Sequence, residues 1–234
     1  MDDLAAGLAA AVRLILTLDD GLVEIAARSL AVSGSATLIA CAVGLPLGAA
    51  LAIRRFAARR AVVAALNALM GLPPVTVGLL VYLLLSRGGP LGVLGLLYTP
   101  AAMTLAQVVI VTPLVASVAH QAVRDLWAEY RDLLLAMNAR PAQRVLTLLW
   151  EARRALLTAA LAGFGRALGE VGAIMIVGGN IDGATRVLTT AIALETSRGD
   201  FALAMGLGLV LVALSLGVSG AAHWSLGTER RGRW

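Results

Sequence analysis

Apolar residues run in near-continuous stretches over residues 29–53, 61–86, 99–122, 155–177 and 200–223. Each has about the 20 residues that a helix needs to cross ~30 Å of hydrocarbon, so the pattern predicts an all-α membrane protein with five spanning helices. The stretches do not alternate with a period of two, which argues against a transmembrane β-barrel. Pro46 and Pro113 interrupt the first and third windows and predict kinks. In the second window Gly71-Leu72-Pro73-Pro74 removes two backbone donors. Carbonyls freed at that depth must face protein or a water-filled cavity. Pro73 and Pro74 therefore either border a pathway or only bend the helix.

Between the third and fourth windows the pattern changes. Over residues 124–154, Leu126, Tyr130, Leu133, Leu134 and Met137 are interleaved with Arg124, Asp125, Glu129, Arg131 and Asp132. This predicts a short amphipathic helix outside the lipid. Pro141 disfavours helical geometry at Arg140, so a turn is expected over residues 138–141. A second helix should then run through Val145, Leu148 and Leu149 into the fourth window. Such a helix-turn-helix is a compact knob on which another subunit can dock; the alternative is a loop floating on lipid headgroups.

Composition agrees with the pattern: 59% of the 234 residues are hydrophobic, and the mean hydropathy is +0.87. A soluble domain of this size could not bury so much apolar surface. All 19 basic residues are Arg, and their placement predicts topology. Arg54, Arg55, Arg59 and Arg60 lie between the first two windows; Arg124, Arg131, Arg140, Arg144, Arg153 and Arg154 lie between the third and fourth; Arg230, Arg231 and Arg233 follow the fifth. The positive-inside rule puts these regions in the cytoplasm, with the N-terminus outside and the C-terminus inside. The charge thus reports topology and contact with anionic lipid, and carries no nucleic-acid meaning.

Residues 1–28 are expected to form an extracytoplasmic amphipathic segment, with an additional span as the alternative. Asp2 and Asp3 stand where a signal peptide would carry positive charge. The chain has no Lys, which a phosphate-binding P-loop requires. His120 and His223 are the only histidines and are far apart in sequence, so no His-based metal site or catalytic triad is expected. Cys41 has no partner for an internal disulfide and is expected to pack. Neither a catalytic residue nor a cofactor is expected.

The fourth window holds two charges, Arg166 and Glu170, four residues apart. On one continuous helix they can pair; unpaired, each would cost about 2.5–3.5 kcal/mol at the bilayer centre on insertion scales. They either face a translocation pathway or form a structural pair. Gly165 and Gly169 predict close helix approach. Gly178, Gly179 and Asn180 end this window, as a mouth for substrate or as a plain helix cap. The segment over residues 182–200 is expected to return outside the membrane.

These residues carry a family resemblance. The stretch Asp132-Leu133-Leu134-Leu135-Ala136-Met137-Asn138-Ala139-Arg140-Pro141 resembles the EAA loop of ABC importer permeases, with Asp132 at the acidic position, Leu133 and Leu134 in place of alanines, and Asn138 in place of the family's glycine. Asn tolerates left-handed geometry better than most residues. The resemblance extends to Leu69-Met70-Gly71-Leu72-Pro73-Pro74-Val75, to Gly165-Arg166-Ala167-Leu168-Gly169-Glu170-Val171-Gly172-Ala173, to Gly178-Gly179-Asn180-Ile181 and to Thr189-Thr190-Ala191-Ile192-Ala193-Leu194-Glu195-Thr196, where the chain is similar to tungstate permeases. Molybdate and sulfate permeases resemble the chain more loosely in the Pro-Pro, Gly-Glu and Gly-Asn-Ile elements, and not in the segment over residues 189–196.

The resemblance implies a type I permease fold over residues 29–223 in a prokaryotic inner membrane. It implies a homodimeric pore, two copies of a separate ABC ATPase subunit and an extracytoplasmic oxyanion-binding protein. The ATPase-coupling residues it implies are Asp132, Ala136, Asn138, Ala139, Arg140 and Pro141. Pro73, Pro74, Arg166, Glu170, Gly178, Gly179 and Asn180 are the expected pathway residues. Residues 224–234 are expected to form a cytoplasmic tail, too short for the regulatory domain of some molybdate importers. The alternatives are a molybdate or sulfate permease and, from another class, an ATP-independent channel or small exporter that would need no cytoplasmic knob.

Overall fold

The computed structural model describes residues 20–54 and 56–227. The expectations for residues 1–19, for Arg55, and for residues 228–234 with Arg230, Arg231 and Arg233 lie outside the described residues, as does the side chain of His223. Among the described residues there are nine α-helices and no strand, as the apolar pattern requires.

Helix α1 (Asp20–Ile53) is a single apolar helix of 34 residues that carries Pro46 inside it. It starts upstream of the expected span and includes residues 20–28. Asp20 sits in the first turn, where a carboxylate meets the positive end of the helix dipole. The second window is two helices, α2 (Arg59–Met70) and α3 (Pro74–Leu85). At the break, Gly71 and Leu72 donate to Ala68 O and Leu69 O at 3.1 and 3.2 Å, while Thr76 and Val77 donate to Pro73 O at 3.0 and 3.3 Å. Pro74 occupies the first helical position, where a missing N–H is no loss.

Helix α4 (Pro100–Ala136) contains both the third window and the amphipathic interval in one run of 37 residues. The expected separate amphipathic helix is therefore an extension of the spanning helix: no Gly, Asn or Pro stands near residue 123 to stop it. Helices α5 (Pro141–Glu151) and α6 (Arg153–Leu168) follow, joined through Ala152. The fourth window then breaks at residues 169–171 before α7 (Gly172–Gly178). Helix α8 (Leu188–Arg198) falls in the segment expected to lie outside the membrane, and buries Leu188, Thr189, Thr190 and Ala191. Helix α9 (Phe201–Gly227) ends the described chain. Three helices, Asp20–Ile53, Pro100–Ala136 and Phe201–Ala222, are long and apolar enough to cross a membrane; counting each of the two bent pairs as one span gives five.

The chain forms two compact units. Among the described residues, one comprises 20–33, 78–106 and 168–227. Its core gathers Leu22, Leu188, Ala191, Leu207 and Val210. The Ser29 hydroxyl accepts the Leu188 N–H at 2.8 Å, and Arg28 donates to the Arg186 and Gly183 carbonyls at 3.0 Å each. These bonds dock α8 onto the start of α1 and satisfy backbone groups that apolar surroundings would otherwise penalise.

The other unit comprises Gly34–Val77 and Gln107–Ala167. It holds one apolar cluster around Ala49, Ala119, Val123, Leu134, Leu148 and Leu156. A second gathers Ala40, Val111, Val115 and Ala167, with Cys41 packed against it, the packing role expected of that thiol. Small residues let the helices approach closely: a Cβ on Gly44 would sit 3.2 Å from Ala116 N and Thr112 O.

Candidate functional site

The turn over residues 137–140 is where the resemblance implies ATPase coupling, and its geometry follows from backbone chemistry. Asn138 has φ +50°, the left-handed region that Asn tolerates. Its N–H donates to Leu135 O at 3.0 Å and the Ala139 N–H donates to Leu134 O at 3.1 Å. This pair of bonds is a Schellman closure, which satisfies the last carbonyls of α4. The next helix starts at once. Arg140 is extended at φ −66° and ψ 153°, its N–H donates to Gln143 Oε1 at 2.7 Å, and Pro141 takes the first helical position. Arg144 Nε donates to Ala139 O at 2.7 Å and ties the new helix back to the turn.

Two leucines anchor this hairpin to its unit. Leu134 and Leu148 are buried, Leu148 at 0% exposure, in the cluster with Ala49, Val123 and Leu156. The tip faces outward: Asp132, Ala136, Asn138, Arg140 and Pro141 are exposed and Ala139 is half-buried. Met137 is 69% and Leu146 67% exposed. The base of the hairpin is thus held by buried leucines, and its apolar and charged tip is left exposed. An apolar hollow of about 430 Å³, lined by Pro46, Ile53, Pro141, Val145 and Leu146 among others, lies beside the tip.

The same unit contains a contact that the sequence did not signal. Arg59 Nε donates to Leu51 O at 2.6 Å and Nη2 to Ala52 O at 3.4 Å, capping the last turn of α1. Arg59 Nη2 also lies 3.3 Å from His120 Nε2, which accepts from it. Loop arginines and a lone histidine give no spacing signal, and only the fold brings these together.

Of the expected pathway residues, Pro73 is exposed and Pro74 half-buried at the α2–α3 break, and Arg166 is exposed on α6. The expected helical pairing of Arg166 with Glu170 is not made. Helix α6 ends at Leu168, so the four-residue spacing no longer places both on one helical face, and among the described residues no ion pair joins them. Glu170 is buried; its Oε1 accepts the Ala173 N–H at 3.3 Å in the first turn of α7, and its carbonyl accepts the Thr189 hydroxyl at 3.0 Å. Gly169 and Gly172 flanking Glu170 are the signal for this break.

Gly178, Gly179 and Asn180 form a helix cap. Gly179 has φ +71°, and a Cβ there would meet the Tyr98 ring at 2.9 Å. Asn180 follows at φ +51°. The Thr185 hydroxyl donates to Gly178 O at 2.5 Å and accepts the Ile181 N–H at 2.9 Å, closing the turn. Asn180 Oδ1 is buried without a hydrogen-bond partner among the described residues, and Thr185 is the closing residue that the sequence alone did not mark.

Residues 44–225, which include the anchored turn and both broken helices, match the family described as the binding-protein-dependent transport system inner membrane component. The chain belongs to this permease family. Along 98% of its length it is 40% identical to the tungstate uptake system permease protein TupB of Peptoclostridium acidaminophilum, all of which is covered. It is 42% identical, over 85% of its own length and 88% of the relative's, to a probable anion ABC transporter permease of Haloferax volcanii. The molybdenum transport system permease ModB of Mycobacterium tuberculosis is more distant, at 28% identity over 87% of this chain and 80% of the relative. An inner-membrane transport permease of type I architecture accounts for the apolar helices and for the turn between α4 and α5.

The turn of the permease gives a direct expectation. Asn138→Val places a β-branched residue at positive φ, which should cost about 1–2 kcal/mol, and the melting temperature in detergent should fall. Asn138→Gly removes that restriction and should leave melting unchanged or raise it. Equal melting of the two variants would show that the left-handed turn does not form.

Proposed function

We propose that this permease translocates tungstate as the membrane subunit of an ATP-driven importer. The observation that carries the reading is the full-length similarity to a tungstate uptake permease. The anchored turn with its exposed tip, which an ATP-independent channel or small exporter has no use for, adds support. Relatives named for molybdenum and sulfate are 28% and 26% identical, which ranks those oxyanions below tungstate as substrate.

In this reading two copies of the chain form the pore, with the N-terminus outside and the C-terminus in the cytoplasm. An extracytoplasmic binding protein delivers the oxyanion. Two copies of a separate ATPase grip Asp132, Ala136, Asn138, Ala139, Arg140 and Pro141, and their ATP-driven closure pulls on the turn and tilts the spans. The chain itself catalyses nothing. Pro73, Pro74, Gly178, Gly179 and Asn180 border the pathway, where the broken helices offer backbone groups. Arg166, exposed on a helix of mean apolar character, faces the partner protomer near the pathway, because a lone guanidinium in hydrocarbon is costly. Glu170 fixes the start of α7 beside it in sequence.

Tungstate accumulation in proteoliposomes holding this chain, its ATPase and its binding protein, measured by elemental mass spectrometry with molybdate and sulfate as competitors, tests the reading. ATP-dependent uptake that resists sulfate supports it. Uptake without ATP or ATPase overturns it in favour of a channel. In the same assay Arg166→Ala should lower uptake about tenfold or more, the scale of one lost charge contact; unchanged uptake would remove Arg166 from the pathway.

A further inference from the structure

A second hollow in the unit that carries the turn has a different chemistry. It encloses about 390 Å³, and its wall includes Ile53, Arg59, Arg124, Trp127, Arg131 and Asp132. Arg124 and Arg131 are two helical turns apart on α4, and Trp127 lies between them on the same side. Arg59 reaches the wall from α2, and its bonds to Leu51 O and Ala52 O hold the guanidinium there. Three guanidiniums thus oppose one carboxylate on the wall.

Two of the basic groups, Arg124 and Arg131, are available, while Arg59 is held by Leu51 O, Ala52 O and His120 Nε2 and contributes its fixed charge. Among the described residues Arg131 is in no ion pair, and Arg124 pairs only with the neighbouring Asp125 at 3.4 Å, both side chains being exposed. Such a surface pair is weak and yields readily to a better anion. Guanidinium groups match the oxygen geometry of phosphate. The level of the hollow in the membrane also matters. The first apolar window ends at residue 53 and the third at residue 122, so Ile53 and Arg124 stand where two spans leave the hydrocarbon. Trp127 is the amphipathic ring expected at headgroup depth, and the arginine stems can lie along apolar surface while their heads bind.

We infer that the hollow walled by Arg59, Arg124 and Arg131 binds a phosphate group, supplied at this depth by the headgroup of an anionic phospholipid. Arg124 and Arg131 clamp the phosphate oxygens, Arg59 closes the site from α2, and Asp132 limits its affinity. Occupancy ties the end of α1 to the segment of α4 that leads into the turn.

The test uses the purified full-length chain in nanodiscs of phosphatidylcholine with a minor fraction of phosphatidylglycerol. Native mass spectrometry after detergent release reads the ratio of retained phosphatidylglycerol to phosphatidylcholine. The double variant Arg124→Gln, Arg131→Gln should lower this ratio on the order of tenfold, and Asp132→Asn should raise it. Added inorganic phosphate separates the sources: displacement of phosphatidylglycerol identifies free phosphate as a ligand of the same site, and resistance identifies the lipid headgroup. An unchanged ratio in the double variant overturns the inference. Both arginines are exposed on a helix, so folding should survive; if the double variant does not fold, Asp132→Asn decides, and a ratio that fails to rise overturns the inference.

Discussion

Replacing Gly48 by leucine is expected to eliminate the folded permease. A Cβ at this position would lie 2.3 Å from the Ala116 carbonyl oxygen and 2.8 Å from Ala119 Cβ and His120 N. Two of these three atoms are backbone, so no rotamer change relieves the clash; α1 must move away from α4. Overpacking by one or two methylenes already costs about 1–3 kcal/mol. A branched four-carbon side chain against backbone should exceed about 4 kcal/mol, a large part of the stability of any domain. Size-exclusion chromatography of a fluorescent fusion should show loss of the folded peak. Gly208→Ala is the control, since a Cβ there meets nothing within 4 Å. A monodisperse Gly48→Leu protein with normal melting would mean that α1 and α4 do not pack as described.

Leu148→Ala should separate ATP hydrolysis from uptake. Leu148 is fully buried and, with Leu134, anchors the hairpin of α4 and α5 to the cluster around Ala49 and Val123. Truncation leaves a cavity and should cost about 2–5 kcal/mol, lowering the melting temperature. Under the proposed function a loosened base lets the turn move without carrying the spans along, so tungstate imported per ATP should fall while the ATPase still turns over. Leu146→Ala is the informative contrast. That side chain is exposed, so its loss should leave stability within about 0.5 kcal/mol while weakening copurification of the ATPase. If both variants behave alike in melting and in coupling, the division between base and tip is wrong.

The apolar windows located α1, α4 and α9 because a membrane span is long and its burial has a single sign along the chain. Pro73 and Pro74 marked the first broken helix because missing N–H donors are visible in the residue types themselves. The second break was harder to see. Gly169 and Gly172 lie in an apolar run that reads as a continuous helix, and the charge spacing of Arg166 and Glu170 reinforced that reading; the buried carboxylate instead caps α7 through the Ala173 N–H. Helix α8 escaped notice because its Thr and Glu content lowers its apolarity. Its burial depends on Ser29 and Arg28, more than 150 residues away in sequence, and local pattern carries no information about such partners. The turn was legible in kind, since Asn138 and Pro141 each restrict the backbone. Its anchoring through Leu134 and Leu148 was not, because exposed Leu133 and buried Leu134 are the same residue type and only the packing tells them apart.

Continuity of α4 has a mechanical consequence. At 1.5 Å per residue its 37 residues make a rod about 55 Å long, whereas hydrocarbon is about 30 Å thick. The helix is thus about 25 Å longer than the hydrocarbon is thick, and in the proposed mechanism the excess on the side of the turn works as a lever arm with its fulcrum in the bilayer. A tilt of about 10° around the bilayer midplane would sweep the tip through roughly 7 Å while displacing residues at the fulcrum hardly at all. In that mechanism the working stroke at the turn is long and its effect inside the membrane is short and forceful, a gearing that suits a machine which must squeeze a narrow passage rather than open a wide one.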